Sequence, residues 1–136
     1  MIRSDTKLIG KLTMSVYNLS DWNTNEVKTS AGGKIIVKSN TVSIPKGKYL
    51  CILYAPLSSS TGQTVSTSLI ISGISKAVCS ARTNSNSFIM TIGTGIFTIN
   101  EDISNAKVDF EIAGSGTSIC TLASYSTFGA LLIKLS

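Results

Sequence analysis

The sequence predicts an all-β fold, and three observations support this prediction. The 136 residues include 17 Ile, 7 Val and 15 Thr, whose Cβ-branched side chains are restricted in χ1 and pack well on a pleated sheet. Apolar and polar residues alternate with a period of two, between clusters of turn residues. No apolar stripe with a 3.6-residue period is long enough to indicate a helix. About eight to ten short strands at this spacing are typical of an antiparallel sandwich or jelly roll.

The first half of the chain contains the segment predicted to lie at the centre of a sheet. Residues 49–55 are all apolar, as expected for a strand that is covered on both faces. Around this segment, Gly, Pro, Ser and Asn mark the turns between neighbouring strands. In chain order, strands are predicted at 8–19, 34–38, 41–44, 49–55 and 65–74, with a polar stretch at 20–30 and turns at 39–40, 45–47 and 58–63.

The second half of the chain shows the cleanest alternation, over residues 106–112. It directs Val108, Phe110 and Ile112 inward. The same alternation directs Lys107, Asp109 and Glu111 outward. In chain order, strands are predicted at 76–82, 88–92, 96–99, 106–112, 119–123 and 127–135, with turns at 83–86, 93–95, 100–102 and 114–116.

Two of the predicted strands, 49–55 and 127–135, are apolar on both faces. The second contains the consecutive residues Leu131, Leu132 and Ile133, although a terminal segment is usually polar and frayed. A sandwich core covers one face of such a strand. A second subunit would cover the other face, so these strands favour an oligomer. The alternative is that other parts of the same chain cover both faces.

The residues supply little catalytic chemistry. Histidine, the commonest general base and metal ligand, is absent. Asp109 and Glu111 share a strand face with Lys107, which indicates a solvated surface and not a catalytic carboxylate pair. The turn at Glu101 and Asp102 supplies too few oxygens for calcium, which takes about six to eight. The serines at 58–60 have no base partner. The sequence therefore predicts a protein that is not an enzyme and needs no cofactor or metal.

The cysteines and the apolar segments indicate whether the protein forms disulfides, is secreted or spans a membrane. Cys51, Cys79 and Cys120 are odd in number and form no C-x-x-C pair, so we interpret them as small buried hydrophobic residues. The first residues are charged where a signal peptide would be apolar. Without 18 consecutive apolar residues, we expect no membrane span.

Charge is unevenly distributed along the sequence. Residues 27–100 contain seven basic residues and no acidic one. Aromatic residues do not interleave with the lysines, which argues against binding to nucleic acid. The lysines favour attachment to an acidic surface, and the alternative is that they only keep the protein soluble. Five of them lie close together in the sequence: Lys28, Lys34, Lys38, Lys46 and Lys48.

Three short blocks of the sequence follow one another in a recognisable order. They are IPKGKYLCI at 44–52, GIFTINED at 95–102 and FGALL at 128–132. This order resembles the jelly roll of tumour necrosis factor and the complement globular heads, over about residues 30–135. The same jelly roll is widespread in tailed bacteriophages, whose Ser/Thr/Gly-rich, cysteine-poor proteins this sequence resembles.

The resemblance implies a homotrimer, since members of the family are trimers. By position, Tyr49, Phe97, Ile99, Phe128, Ala130 and Leu132 match residues of the sandwich interior. The face of the central strand that points away from Tyr49 matches the face packed around the threefold axis. The positions that match the trimer interface are Leu50, Ile52, Tyr54, Ile92, Leu131 and Ile133.

Residues 1–29 lie outside the resemblance, and we predict that they form an N-terminal attachment segment before a jelly-roll domain at 30–136. Their apolar residues alternate, as in a strand that pairs with its own sheet or with the edge of a partner. We predict that they bind a phage major capsid protein or another virion protein. The residues predicted to make this attachment are Leu8, Leu12, Met14, Val16 and Trp22.

The resulting functional hypothesis is a trimeric virion protein of a tailed bacteriophage, which decorates the capsid or forms a head fibre. It would be made in the host cytoplasm and act by binding. One alternative is the receptor-binding tip of a tail fibre, which recognises glycans on the host surface. Another is a cellular, cytokine-like trimeric ligand.

Overall fold

The computed structural model describes residues 16–23, 25–83, 87–124 and 126–136. These residues form eleven β-strands and no helix, which confirms the predicted all-β class. The strands are β1 (Val16–Asn18), β2 (Asp21–Asn23), β3 (Val27–Lys28), β4 (Lys34–Ile44), β5 (Gly47–Ser59), β6 (Thr64–Ile71), β7 (Ile74–Arg82), β8 (Ile89–Ile99), β9 (Ile103–Gly114), β10 (Cys120–Leu122) and β11 (Ser126–Lys134).

The strands form two antiparallel sheets that pack face to face. In the larger sheet, the long strand β5 is central, with β8 along one edge and β11 followed by β10 along the other. Strands β1 and β2 extend this sheet beyond β11, and β3 extends it beyond β10. The smaller sheet has the order β4-β9-β6-β7. The segment predicted to be central, residues 49–55, therefore lies in the middle of the larger sheet.

The core lies between the sheets, where alternate residues of each strand are buried. Val108, Phe110 and Ile112 of β9 are buried as the alternation predicts. Across from them, the Tyr49 ring stacks on Phe97 with 5.7 Å between ring centroids. Of the predicted interior residues, Phe97 is half-buried, and Tyr49, Ile99, Phe128, Ala130 and Leu132 are buried.

Two predicted turns are instead the middles of long strands. Ser39 and Asn40 belong to β4, where they pair with Asp109 and Val108 of β9. Residues 93–95 belong to β8. A Cβ atom added to Gly93 would lie only 2.5 Å from the Cβ of Cys79 in β7. Glycine is found in strands where another backbone approaches closely as well as in turns. Here it marks the close approach of β7 to β8 and not a turn.

The predicted division at residue 29 does not follow the fold in the described residues. Strands β1, β2 and β3 belong to the larger sheet, and Leu19 is buried in the core. The Leu19 amide donates a hydrogen bond to the Ala130 carbonyl over 2.9 Å. Val16 and Trp22 lie within β1 and β2. Leu8, Leu12 and Met14 lie outside the described residues, so an attachment role for this segment stays a prediction.

Candidate oligomer interface

The outward face of the larger sheet brings together the six residues predicted to form a trimer interface. Alternation along β5 buries Tyr49, Cys51 and Leu53 and directs the residues between them away from the core. The registers of the neighbouring strands then define rows across this face. The rows are Ile133, Leu50 and Ile96; Leu131, Ile52 and Thr94; and Gly129, Tyr54 and Ile92. We call this set, together with Pro56 and Met90 in the next row, the apolar face.

The apolar face is exposed most at its β8 edge. Ile92, Ile96 and Met90 are 67%, 64% and 52% exposed, and the β5 and β11 residues of the rows are mostly half-buried. None of its members carries a charge. The described residues therefore leave this face incompletely covered. A contiguous exposed apolar surface is uncommon on monomeric proteins and is typical of interaction sites.

Two strongly exposed apolar side chains of the apolar face, Met90 and Ile96, were not among the predicted interface positions. They continue the alternation of Ile92 in both directions along β8. That signal is visible in the sequence only if residues 89–99 are taken as one strand. The two glycines within this strand obscured it.

The outward face of the smaller sheet is mostly polar by contrast, although Ile36 and Val78 are exposed there. Its carboxylates are engaged in structural contacts. The Ser39 hydroxyl donates a hydrogen bond to the Asp109 carboxylate, and the Lys107 ammonium lies 3.8 Å from the same group. Asp109 is buried, which corrects the expectation that it is solvated. Glu111 is half-buried.

The lysines predicted to form a basic cluster are distributed over several elements. Lys38 pairs with Asp21 at 3.1 Å, and Lys28 pairs with Glu26 at 3.7 Å. Such exposed ion pairs contribute little stability, about 0–1 kcal/mol. The pairs neutralise part of the predicted basic surface. The others, Lys34, Lys46 and Lys48, are exposed.

The serines at the end of β5 hold a loop in place. The hydroxyls of Ser59 and Ser118 are 2.6 Å apart in a buried hydrogen bond, and the Ile119 amide donates to the Ser60 hydroxyl over 2.8 Å. At the opposite end of β5, the Asp102 carboxylate accepts a hydrogen bond from the Lys46 amide over 2.8 Å.

Within the described ranges, no group of three or more acidic, Cys or His side chains could hold a metal ion.

All three cysteines are free and buried, as predicted. Burial raises the pKa of the Cys51 thiol to about 12 and that of the Cys120 thiol to about 11. The pKa of Cys79 is also raised by burial. Because the thiolate is the reactive form, these side chains act as packing groups.

No helix of the described part of the chain is long and apolar enough to span a membrane.

Comparison with known proteins gives matches only at the level of structure. No protein-family model matches the sequence, and no curated protein matches it. Among solved structures, the Eiger TNF of S. frugiperda is 11% identical, with 92% of this chain and 93% of that chain covered and a TM-score of 0.56. Murine APRIL at pH 5.0 is 16% identical, with 90% and 100% covered and a TM-score of 0.56.

A viral protein is similar to this chain in structure to about the same degree. In the infectious bursal disease virus Gt strain, a chain that is 10% identical matches with a TM-score of 0.58. The match covers 90% of this chain and 32% of the viral one. The fold is a TNF-like jelly roll. At these identities the likeness concerns the fold alone, and it confirms the resemblance that the sequence motifs indicate. Since one fold hosts many functions, function must be argued from the surfaces.

Proposed function

We propose that this chain is a non-enzymatic structural protein of a virion that assembles as a homotrimer through the apolar face. The observation that carries the proposal is the uncharged apolar surface on β5, β8 and β11. The resemblance to the TNF-like jelly roll supports three copies around one axis. The similarity to a viral chain supports a place in a virion.

The apolar face is suited to other copies of the same chain. Burying one Ile side chain completely contributes about 1.5–3 kcal/mol, and Ile92 and Ile96 have most of their surface left to bury. A partner bound through charges would need complementary charges, and the members of the apolar face have none. Self-association matches one apolar surface with another and leaves the mostly polar outward face of the smaller sheet in solvent.

Within this class, we favour a capsid decoration or head fibre protein of a tailed bacteriophage. The sequence is rich in Ser and Thr, with 37 such residues among 136, in the style of the phage jelly rolls that it resembles. A cytokine-like trimeric ligand is equally consistent with the likeness to Eiger and APRIL. The two hypotheses differ in where the protein is found.

The oligomeric state is the first expected result. Light scattering at micromolar concentration should give three times the chain mass of 14.3 kDa, because burial of three apolar faces outweighs the entropy of association. The same protein should be detected on virus particles by immunogold imaging. A monomeric mass would overturn the assembly, and particles without label would favour the cytokine-like alternative.

Attachment to the particle is tested separately by truncation. Removing residues 1–15 leaves every described strand intact, whereas removing residues 1–22 would delete β1 and most of β2. If Leu8, Leu12 and Met14 contact the capsid, the chain without residues 1–15 should remain a folded trimer. It should no longer bind to virus particles that lack the protein. As a control, the intact chain should bind them. Unchanged binding by the truncated protein would exclude this segment as the anchor and leave the exposed lysines as candidates.

A further inference from the structure

A small recess lies on the outward side of the larger sheet, beyond the apolar face. Its volume is about 230 Å³, and its lining residues are Glu26, Lys28, Ser58, Phe88 and Thr121. Thr121 of β10 pairs with Lys28 of β3 on one side and with Ser58 of β5 on the other. Ser58 follows Tyr54 by four residues along β5, which corresponds to about 13 Å.

Two hydroxyl groups of the recess have unused hydrogen-bonding capacity. Ser58 and Thr121 are only 3% and 8% exposed. In the part of the chain that the structure describes, neither hydroxyl makes a hydrogen bond with the protein. Every fully enclosed side-chain oxygen or nitrogen there has a partner, so these two hydroxyl oxygens are not fully enclosed. Both hydroxyls therefore open to the recess. Buried polar groups are almost always hydrogen-bonded, so water or a ligand must complete them.

The charges of the recess balance each other. The Glu26 carboxylate lies 3.7 Å from the Lys28 ammonium, so the pair favours neither an anion nor a cation. The carboxylate accepts hydrogen bonds, the ammonium donates them, and the two hydroxyls do both. This set of groups is complementary to adjacent hydroxyls on a neutral ligand, each of which donates and accepts.

Phe88 supplies an apolar wall beside these polar groups. Its side chain is 43% exposed, although most aromatic rings of this size are buried. The C–H face of a pyranose ring is an apolar surface that can pack on an aromatic ring while the sugar hydroxyls reach polar partners. The volume lies below the range of about 300–1,000 Å³ for drug-sized ligands, which limits the ligand to about one ring.

We propose that this recess binds one neutral sugar unit of a glycan. Ser58, Thr121, Glu26 and Lys28 hydrogen-bond to the sugar hydroxyls, and Phe88 packs against the ring. The inference goes beyond the proposed assembly and does not depend on it, because all five residues belong to one chain.

The test is a titration of the full-length, isotope-labelled protein with the methyl glycosides of glucose, galactose, mannose and N-acetylglucosamine, followed by NMR. At least one glycoside should shift the amide signals of Ser58 and Thr121. The Ser58→Ala, Thr121→Ala double variant should bind at least about fivefold more weakly, because two hydrogen bonds are lost. Phe88→Ala should remove the shifts and leave the circular dichroism spectrum unchanged. The matched control is Ser66→Ala, Ser80→Ala, a cross-strand pair on the smaller sheet.

Three results would overturn the inference: no shift with any glycoside, shifts that persist in the double variant, or shifts produced by inorganic phosphate in place of the sugars. Light scattering on the same samples separates this inference from the proposed assembly. A trimer that binds no sugar refutes only the sugar site. A monomer that binds sugar through Ser58 and Thr121 refutes only the trimer.

Discussion

Replacing Ile52 or Ile96 with Asp should convert the proposed trimer into folded monomers. Ile52 lies in the middle of the apolar face, between Leu131 and Thr94. In an assembled trimer an Asp there would be a buried charge without a partner, which costs about 3–5 kcal/mol. Threefold symmetry repeats this cost in each protomer. Light scattering should therefore give the mass of one chain at concentrations where we expect the wild type to be trimeric.

The two variants differ in how much they affect the fold of the single chain, because Ile52 is half-buried in the protomer. Ile96 is 64% exposed in the protomer, so Ile96→Asp leaves the core intact, and circular dichroism should show an unchanged β-sheet spectrum. Ser80→Asp is the matched control, because it places the same charge on the exposed face of β7 in the other sheet. Its mass should equal that of the wild type. If Ile96→Asp remains trimeric, the apolar face is not the interface.

Gly129→Val should prevent stable folding or reduce the free energy of unfolding by about 3 kcal/mol or more. Strand β11 pairs with β2 before this residue and with β1 after it, so the bend between β1 and β2 crosses β11 at Gly129. A Cβ atom there would lie 2.4 Å from the Ser20 Cα and 2.9 Å from the Leu19 carbonyl oxygen. Both contacts are with backbone atoms, which cannot rotate away as a side chain can. The measurement is the urea midpoint at a fixed protomer concentration, since assembly also stabilises the fold.

Thr127→Val is the matched control for Gly129→Val. It adds the same side chain two residues earlier in β11, at an exposed position. Valine has high β-propensity, so the control should unfold at about the wild-type midpoint. Equal midpoints for the two variants would show that the bend at Leu19 and Ser20 tolerates a side chain at residue 129.

The strands that could be predicted are those whose evidence is local. Residues 106–112 alternate without interruption, so burial of Val108, Phe110 and Ile112 followed from a period of two. The same pattern failed at Gly93 and Gly95. There the glycines provide space for β7 of the other sheet, and a contact between residues distant in sequence leaves no local signal that distinguishes it from a turn.

The candidate interface was predictable in part for a similar reason. Leu50, Ile52 and Tyr54 alternate with buried residues of β5, and Leu131 and Ile133 do so on β11. Their grouping on one face was implied only by the resemblance to the TNF-like jelly roll. The residues of the recess could not be grouped in advance, since Glu26, Ser58, Phe88 and Thr121 come from four separate segments of the chain.

The sequence by itself determined the all-β class, the central position of residues 49–55 and the two-sided apolar character of β5 and β11, because side-chain branching and alternation act over a few residues. Only the tertiary structure decided that β8 is one strand, that β1, β2 and β3 belong to the larger sheet, and that Ser58 and Thr121 open to a common recess. Strand pairing and register are set by hydrogen bonds between distant segments. Many registers satisfy the same local pattern, and the packing of the whole core selects one of them.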